Sequence, residues 1–262
     1  IMRHNLLKVI TGFAYSIIYF PILVIALLSF NQSVKGYSFT GFTFNWYVEI
    51  FRDDRLLEAI TNTLLIAFLS TIIATIIGTF TAIGINNLSK SSKFKMMIIN
   101  NVPIINPDIV TGISLMLVLS LLPISFGMNT MLLAHIFFSI PFVILTVLPK
   151  LKRLDKNLYD AALDLGCTRF QAIYKVIIPA IKSSIIAGAL IAFTMSIDDF
   201  VISYFTTGNG FQNVSLWIYS RLGRRSFNPA VYSYNTLIVF ITITGLIVFN
   251  KVTNKRNLKE IK

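Results

Sequence analysis

Long apolar stretches alternate with short polar segments along this chain. A helix needs roughly 20 apolar residues to cross a hydrocarbon layer of about 30 Å, and six stretches reach that length. The first is too long for the apolar core of a signal peptide and has no A-x-A cleavage site after it, so we expect it to be a retained span. The pattern predicts an all-α polytopic membrane protein with a single transmembrane domain over residues 1–262. The six predicted spans cover residues 9–30, 60–85, 96–122, 129–148, 183–205 and 234–250.

The polar segments between the spans predict the orientation. Lys and Arg are enriched in the cytoplasmic segments of membrane proteins. With the N-terminus inside, seventeen Lys and Arg residues fall on the cytoplasmic side and six on the outer side. Both termini and the segment 150–182 are therefore predicted to face the cytoplasm. The six residues on the outer side are Lys35, Arg52, Arg55, Arg221, Arg224 and Arg225.

Composition narrows the possible functions. Of the 262 residues, 55% are hydrophobic and 13% charged, and the net charge of +12 is spread between apolar runs, which does not indicate nucleic-acid binding. The single cysteine, Cys167, excludes an intrachain disulfide, and the distant His4 and His135 do not indicate a metal site. The G-x-x-x-x-G-K-[ST] phosphate loop is missing from the sequence, so any nucleotide is expected to bind another chain. We therefore predict a protein that is not an enzyme and has no cofactor of its own.

The cytoplasmic segment 150–182 is polar but has helical periodicity. A first helix is predicted from about residue 156 to 165, ending at Gly166, where a left-handed conformation is easily adopted. A second helix begins at Thr168, which forms a capping box with Gln171. Pro179 marks the turn into the next apolar run. The second helix is predicted to have one apolar face, formed by Phe170, Ile173, Tyr174 and Ile177.

The same segment resembles a known motif. Asp160-Ala161-Ala162, Gly166 after three residues and Val176-Ile177-Ile178-Pro179 after nine more resemble the EAA loop of ABC-importer permeases, E-A-A-x3-G-x9-I-x-L-P. Asp160 replaces Glu and Ile178 replaces Leu. The resemblance implies a coupling helix that binds in a groove of a separate ATPase subunit, the chain that would hold ATP and Mg²⁺. The alternative is a solvated loop whose Ala and Gly residues only suit a helix and its end. The residues implied in coupling are Asp160, Ala161, Ala162, Gly166, Phe170 and Pro179.

Two spans carry small residues at every fourth position, which allows helices to approach closely in lipid. These spans are predicted to be interior. The two ladders are Ser70, Ala74, Gly78 and Ala82 on the second span, and Ala180, Ser184, Gly188, Ala192 and Ser196 on the fifth.

Three of the eleven acidic residues lie within predicted spans: Asp108, Asp198 and Asp199. Inserting a carboxylate at the centre of a membrane helix costs about 2.5–3.5 kcal/mol of free energy, so the presence of these residues requires a functional or structural explanation. They suggest a pathway for a cationic solute, and Asn106-Pro107 predicts a break in the third span beside Asp108. The fifth span, treated as one helix, places its two aspartates about 22–24 Å along its axis, with Asp199 near Ser196. The alternatives are a helix-start cap for Asp108 and, for the other two, pairing with an arginine of the outer segment or of a partner subunit.

Three segments extend the resemblance to the whole chain. NPDIVTGISL (106–115), SIDDFVISYFTTG (196–208) and TFNWYVEIF (43–51) resemble the permease of spermidine/putrescine importers. This family implies a type I ABC-importer permease fold in the bacterial inner membrane. It also implies a second homologous permease, two ATPase subunits and an extracytoplasmic polyamine-binding protein as partners. The predicted substrate pathway consists of Trp46, Asp108, Ser196, Asp198 and Asp199, although an anchor for the chain at the membrane interface is the favoured interpretation of Trp46.

Three other functions were weighed. An ABC permease for another solute, such as an amino acid, iron or an anion, fits the EAA loop. An anion would favour Arg, Lys or helix N-termini within the spans, where no basic residue lies. A secondary transporter acting alone should show an inverted repeat, and none is convincing. A membrane scaffold without transport leaves the acidic residues unexplained.

Overall fold

Helices make up most of the chain in the computed structural model, which describes residues 2–33, 38–155, 157–208, 210–221 and 229–260. The placement of Lys35, Arg224 and Arg225 on the outer side, and the predicted helix start at residue 156, lie outside these ranges. The helices are α1 Met2–Leu28, α2 Asn45–Ile50, α3 Asp54–Asn86, α4 Lys90–Ile105, α5 Asp108–Ser120, α6 Met128–Arg153, α7 Asn157–Asp164, α8 Arg169–Ala172, α9 Ile178–Ala180, α10 Lys182–Asp198, α11 Val201–Thr206, α12 Val214–Arg221 and α13 Ala230–Glu260, with a π-helical turn at Ile173–Ile177 between α8 and α9.

Three helices in the described ranges are long and apolar enough to cross a membrane: Ile10–Leu28 within α1, α3 and α6. They coincide with the first, second and fourth predicted spans. Two further spans are possible if each of two bent helix pairs counts as one, and the apolar part of α13, Ala230–Gly245, is shorter. The all-α membrane class is confirmed, while the count of six spans and the orientation stay predictions.

The third predicted span is broken where the sequence indicates. The axes of α4 and α5 differ by 104° across Asn106-Pro107. Asn106 is extended (φ −69°, ψ 139°), the conformation that a following proline favours. Pro107 lacks the amide hydrogen that would continue the helix, so the chain turns here and α5 begins at Asp108.

The fifth predicted span is also broken, and its interpretation as one helix over 183–205 is wrong. The helix α10 ends at Asp198, Asp199 is extended (φ −62°, ψ 129°), and α11 begins at Val201. The Asp199 carboxylate accepts hydrogen bonds from the backbone amides of Ile202 and Ser203. These bonds satisfy amides at the start of α11, so the helix can stop without Pro or Gly.

The chain forms two compact units, Ile1–Leu57 with Ile218–Lys262, and Glu58–Trp217. In the first, α13 packs against α1 and α2. Its Phe30, Phe42, Phe44 and Tyr47 rings pack together with centroid distances of 5.1–6.2 Å. The prediction of one permease domain over 1–262 stays a prediction.

The second unit is built around α6, which contacts α4, α5, α10 and α11. Both small-residue ladders contribute to this core, because a β-carbon on Gly78 would lie 2.8 Å from the Val143 side chain and one on Gly188 would lie 3.4 Å from Val143 Cα. The prediction that the two ladders are interior is confirmed for most of their members. The buried ones are Ser70, Ala74, Gly78, Ala82, Gly188, Ala192 and Ser196.

Candidate coupling surface and substrate passage

The turn between the two cytoplasmic helices matches its sequence signals. Gly166 has φ +85°, in the left-handed region. The amide of Cys167 donates to the Ala162 carbonyl and that of Gly166 to the Leu163 carbonyl, which together form a Schellman motif. The helix end predicted at Gly166 is confirmed.

The capping box of the second helix is also confirmed. The Gln171 amide donates to Thr168 Oγ1 (3.3 Å), and the Thr168 amide donates to Gln171 Oε1 (3.0 Å). Two successive local motifs therefore fix the path of the chain from α7 into α8.

The single apolar face predicted for the second helix is wrong, because the structure divides its four residues. The π-helical turn at Ile173–Ile177 adds a residue to the helical period and shifts the register. Ile173 and Ile177 pack against the core of the second unit. Phe170 and Tyr174 instead stack on each other with ring centroids 6.5 Å apart, and they are 69% and 64% exposed.

The other coupling residues divide between surface and core. Asp160, Ala161 and Pro179 are exposed, whereas Ala162 is buried. The turn expected at Pro179 lies two residues later, at Ile181, where the axis changes by 74°. Pro179 lies within the short α9, which follows directly on the π-helical turn.

Asp108 and Asp199 come from different spans and lie near each other. The helices α5 and α11 pack closely, so that a β-carbon on Gly112 would lie 2.8 Å from the Phe205 ring. Asp108 is exposed in the first turn of α5, where the helix dipole favours an anion.

Asp198 and Asp199 differ in surroundings although they are adjacent. Asp198 is exposed at the last position of α10. The Asp199 side chain is 10% exposed; its Oδ2 accepts from the Ser203 amide at 2.7 Å and lies 3.6 Å from His135 Nε2. Arg221, one of the outer arginines weighed as a partner, lies 3.9 Å from Asp53 instead. Asp199 is thus held by the protein, while Asp198 is open.

Ser196 lies inside the helix bundle rather than on a surface. It is 1% exposed, and its hydroxyl lies 3.2 Å from Ser70 Oγ and 2.6 Å from His135 Nδ1. His135 is itself fully buried, and its Nε2 lies 3.0 Å from Ser203 Oγ. The Asn213 amide nitrogen donates to the same Ser203 hydroxyl at 2.8 Å. These residues form one buried polar network.

His135, Ser203 and Asn213 are not among the site residues predicted from the sequence. Two signals were available: a lone imidazole in the apolar run of the fourth span, and the spacing of Ser196, Asp199 and Ser203, which repeats polar residues at helical period. In the described part of the chain, no group of three His, Cys, Asp or Glu side chains is placed to hold a metal ion.

Trp46 lies in the first unit, on the short helix α2. Its indole nitrogen donates to the Asn31 carbonyl at 2.7 Å, which fixes the ring. The ring and Glu49, one turn later, line a cavity of about 490 Å³ that also includes Gln32 and Arg52. The hydrogen bond fits the anchoring interpretation, and the cavity leaves the ring accessible to a solute.

Comparison with known proteins gives consistent relationships. Residues 74–256 match the family described as "Binding-protein-dependent transport system inner membrane component". The chain is 32% identical over 243 residues to the spermidine/putrescine transport system permease protein PotC of Haemophilus influenzae, covering 93% of this chain and 94% of that protein. It is 34% identical over 251 residues, 95% of each protein, to PotC of Escherichia coli strain K12.

A solved structure supports the fold independently. The structure, of a bacterial ABC transporter involved in the import of the acidic polysaccharide alginate, matches with a TM-score of 0.71 over 98% of this chain and 97% of that chain. At 18% identity the likeness shows the fold alone. From the matched family model, the relatives and the helical fold, the chain belongs to the binding-protein-dependent transport system inner membrane components, and is a multi-pass inner-membrane permease subunit of an ABC importer.

Proposed function

We propose that this chain forms part of the membrane passage of an ATP-driven importer that moves polyamines into the cytoplasm. The observation that carries the proposal is the presence of an exposed aspartate at each of two broken spans, Asp108 after Pro107 and Asp198 before Asp199. The names of the two PotC relatives support the same substrate class.

The charge around these breaks suits a cationic solute. Polyamines carry several ammonium groups along a flexible apolar chain, so their passage needs separated acceptors and few competing cations. Residues 96–122 and 183–205 contain no Lys or Arg. An ammonium group that meets Asp108 or Asp198 therefore finds a carboxylate without a basic neighbour in the same segment.

The three aspartates have different roles in this proposal. Asp108 and Asp198 are exposed and bind the solute, one from each broken span. Asp199 is held by two backbone amides and supports the break. Ser196 is buried and acts with Asp199 as a support rather than as a solute contact.

Trp46 provides a further contact in the first unit. An aromatic face attracts an ammonium group by about 0.5–2 kcal/mol. Its ring is fixed by the bond to Asn31 and shares a cavity with the Glu49 carboxylate. With the N-terminus in the cytoplasm, as the Lys and Arg distribution predicts, this cavity faces the outer side, where we propose that an extracytoplasmic binding protein delivers its solute.

The energy for transport comes from a partner chain through the coupling surface, which consists of α7, α8 and the turn at Gly166. Its exposed Asp160, Leu165 and Phe170, with Tyr174 of the following π-helical turn, combine one charge with apolar and aromatic area, a composition suited to a protein interface. We place this surface in the cytoplasm, against an ATPase subunit that binds ATP and Mg²⁺. A second, homologous permease completes the passage.

The experiment is uptake of radiolabelled putrescine and spermidine into cells that lack other polyamine importers. Asp108→Asn and Asp198→Asn remove charge at nearly constant shape, and each is expected to reduce uptake at least tenfold while subunit levels on a blot stay normal. Asp54→Asn is the matched control, because it neutralises another exposed carboxylate in the first turn of a helix and should transport normally. Normal uptake by both test variants would refute the passage, and uptake of neither polyamine by the wild type would refute the substrate class.

A further inference from the structure

We propose that His135 is a positioning residue that sets the geometry of the break carrying Asp198 and Asp199. The inference deepens the proposed function and rests on it only for the identity of the solute. His135 lies on α6, is fully buried, and reaches both sides of the break with its two ring nitrogens. Nδ1 lies 2.6 Å from the hydroxyl of Ser196 on α10, and Nε2 lies 3.0 Å from the hydroxyl of Ser203 on α11.

The surrounding hydrogen bonds define one consistent arrangement of protons. Asn213 Oδ1 accepts from the Leu216 amide, which can only donate, so Asn213 Nδ2 is the atom that donates to Ser203 Oγ. His135 Nε2 lies 3.6 Å from Asp199 Oδ2, and an ionised carboxylate can only accept, so the ring proton is assigned to Nε2. Ser203 Oγ then accepts from His135 Nε2–H.

The other half of the ring completes the pattern. With its proton on Nε2, the neutral imidazole carries a lone pair on Nδ1, which accepts the hydroxyl proton of Ser196. Ser196 Oγ also lies 3.2 Å from the Ser70 hydroxyl on α3. Every polar atom of the ring therefore has a partner without a buried cation, as a fully enclosed imidazole requires.

The break depends on such support because its own local bonds are few. The helix α11 has six residues, and α10 ends without a C-terminal glycine motif. The bonds from Asp199 to two amides hold the start of α11 but do not fix its angle to α10. His135 joins Ser196 before the break to Ser203 after it, and so fixes the direction in which the exposed Asp198 points.

A simple packing role makes a different prediction. The ring of His135 also lies 5.1 Å from that of Phe138, so it fills space as well as making hydrogen bonds. If only volume mattered, His135→Phe would be tolerated. If the nitrogens matter, His135→Phe disturbs the break, and His135→Gln, which places an amide near the Nε2 position, restores part of the geometry.

The test measures how accessible a residue at the break is to a labelling reagent, and it does not depend on transport activity. In the full complex, Cys167→Ser removes the only thiol of this chain and Asp198→Cys introduces one at the break. The rate at which a small maleimide labels this cysteine is compared among wild-type His135, His135→Phe and His135→Gln. Ser139→Ala is the matched control, since Ser139 is buried one turn along α6 and its hydroxyl has no hydrogen-bond partner among the described residues.

We expect His135→Phe to change the labelling rate at least threefold, His135→Gln to change it less, and Ser139→Ala to leave it within the experimental spread. Ser196→Ala and Ser203→Ala, which each remove one partner of the ring, should shift the rate in the same direction and decide the test if His135→Phe does not assemble. Equal rates in all variants, or equal shifts in His135→Phe and Ser139→Ala, would overturn the inference. Failure of the wild type to import polyamines would refute the proposed function and leave this result intact.

Discussion

Gly166 allows backbone strain to be separated from steric clash in the coupling surface. Its φ of +85° is rarely adopted by residues with a side chain, yet a β-carbon built there meets nothing within 4 Å. A substitution therefore costs only the left-handed conformation, about 1–2 kcal/mol for alanine. That energy changes the population of the native turn by up to ~5–30-fold. Asparagine tolerates this region better than alanine, and a β-branched residue tolerates it worse.

The expected order of uptake is wild type, Gly166→Asn, Gly166→Ala and Gly166→Val, with Gly166→Ala reduced by up to ~5–30-fold and the membrane level of this chain unchanged. The amount of ATPase that co-purifies with a tagged chain should follow the same order. Gly84→Ala is the control, because its added methyl also meets nothing within 4 Å but lies in the ordinary helical conformation of α3. Wild-type uptake and ATPase retention in Gly166→Val would refute the role of this turn in coupling.

Two further predictions use other features of the chain. Gly208→Ala should prevent normal folding, because its β-carbon would lie 1.9 Å from the Phe126 carbonyl oxygen, a backbone atom that cannot move aside. At Gly210 φ is +91° but the space is open, so Gly210→Ala should lower the melting temperature in detergent only moderately. Equal melting temperatures of the two variants would contradict this prediction. Cys167, which is partly exposed beside the turn, should react with a membrane-permeant maleimide and resist an impermeant one in intact cells, and labelling from outside would reverse the proposed orientation.

The features that the sequence predicted well depend on local rules. The Gly166 turn and the Thr168–Gln171 capping box each involve residues within one helical turn, and the break after α4 lies at Pro107, which supplies no amide hydrogen. The spans of α3 and α6 follow from apolar length alone. These signals do not depend on the rest of the fold.

The missed features depend on distant residues. The break at Asp199 has no Pro or Gly to mark it, because it is stabilised by a side chain that replaces the lost helical bonds. The network around His135 joins α3, α6, α10 and α11 with the segment at Asn213, and the pairing of these elements is not encoded in any local spacing. The sequence also gives no signal for the π-helical turn, because the same apolar residues fit an α-helical or a π-helical register.

The close contact of Gly78 with Val143 restricts the motions available to an importer that contains this chain. Sliding α3 along α6 by one turn, about 5.4 Å, would bring the methyl group of Ala74 or Ala82 to the place where a β-carbon on Gly78 would lie 2.8 Å from the Val143 side chain. Sliding of α3 along α6 by a whole turn is therefore opposed by a steric clash. We therefore expect α3 and α6 to keep their register during transport, and changes of helix direction to occur where helices are interrupted, at Asn106-Pro107, Asp199 and Ile181.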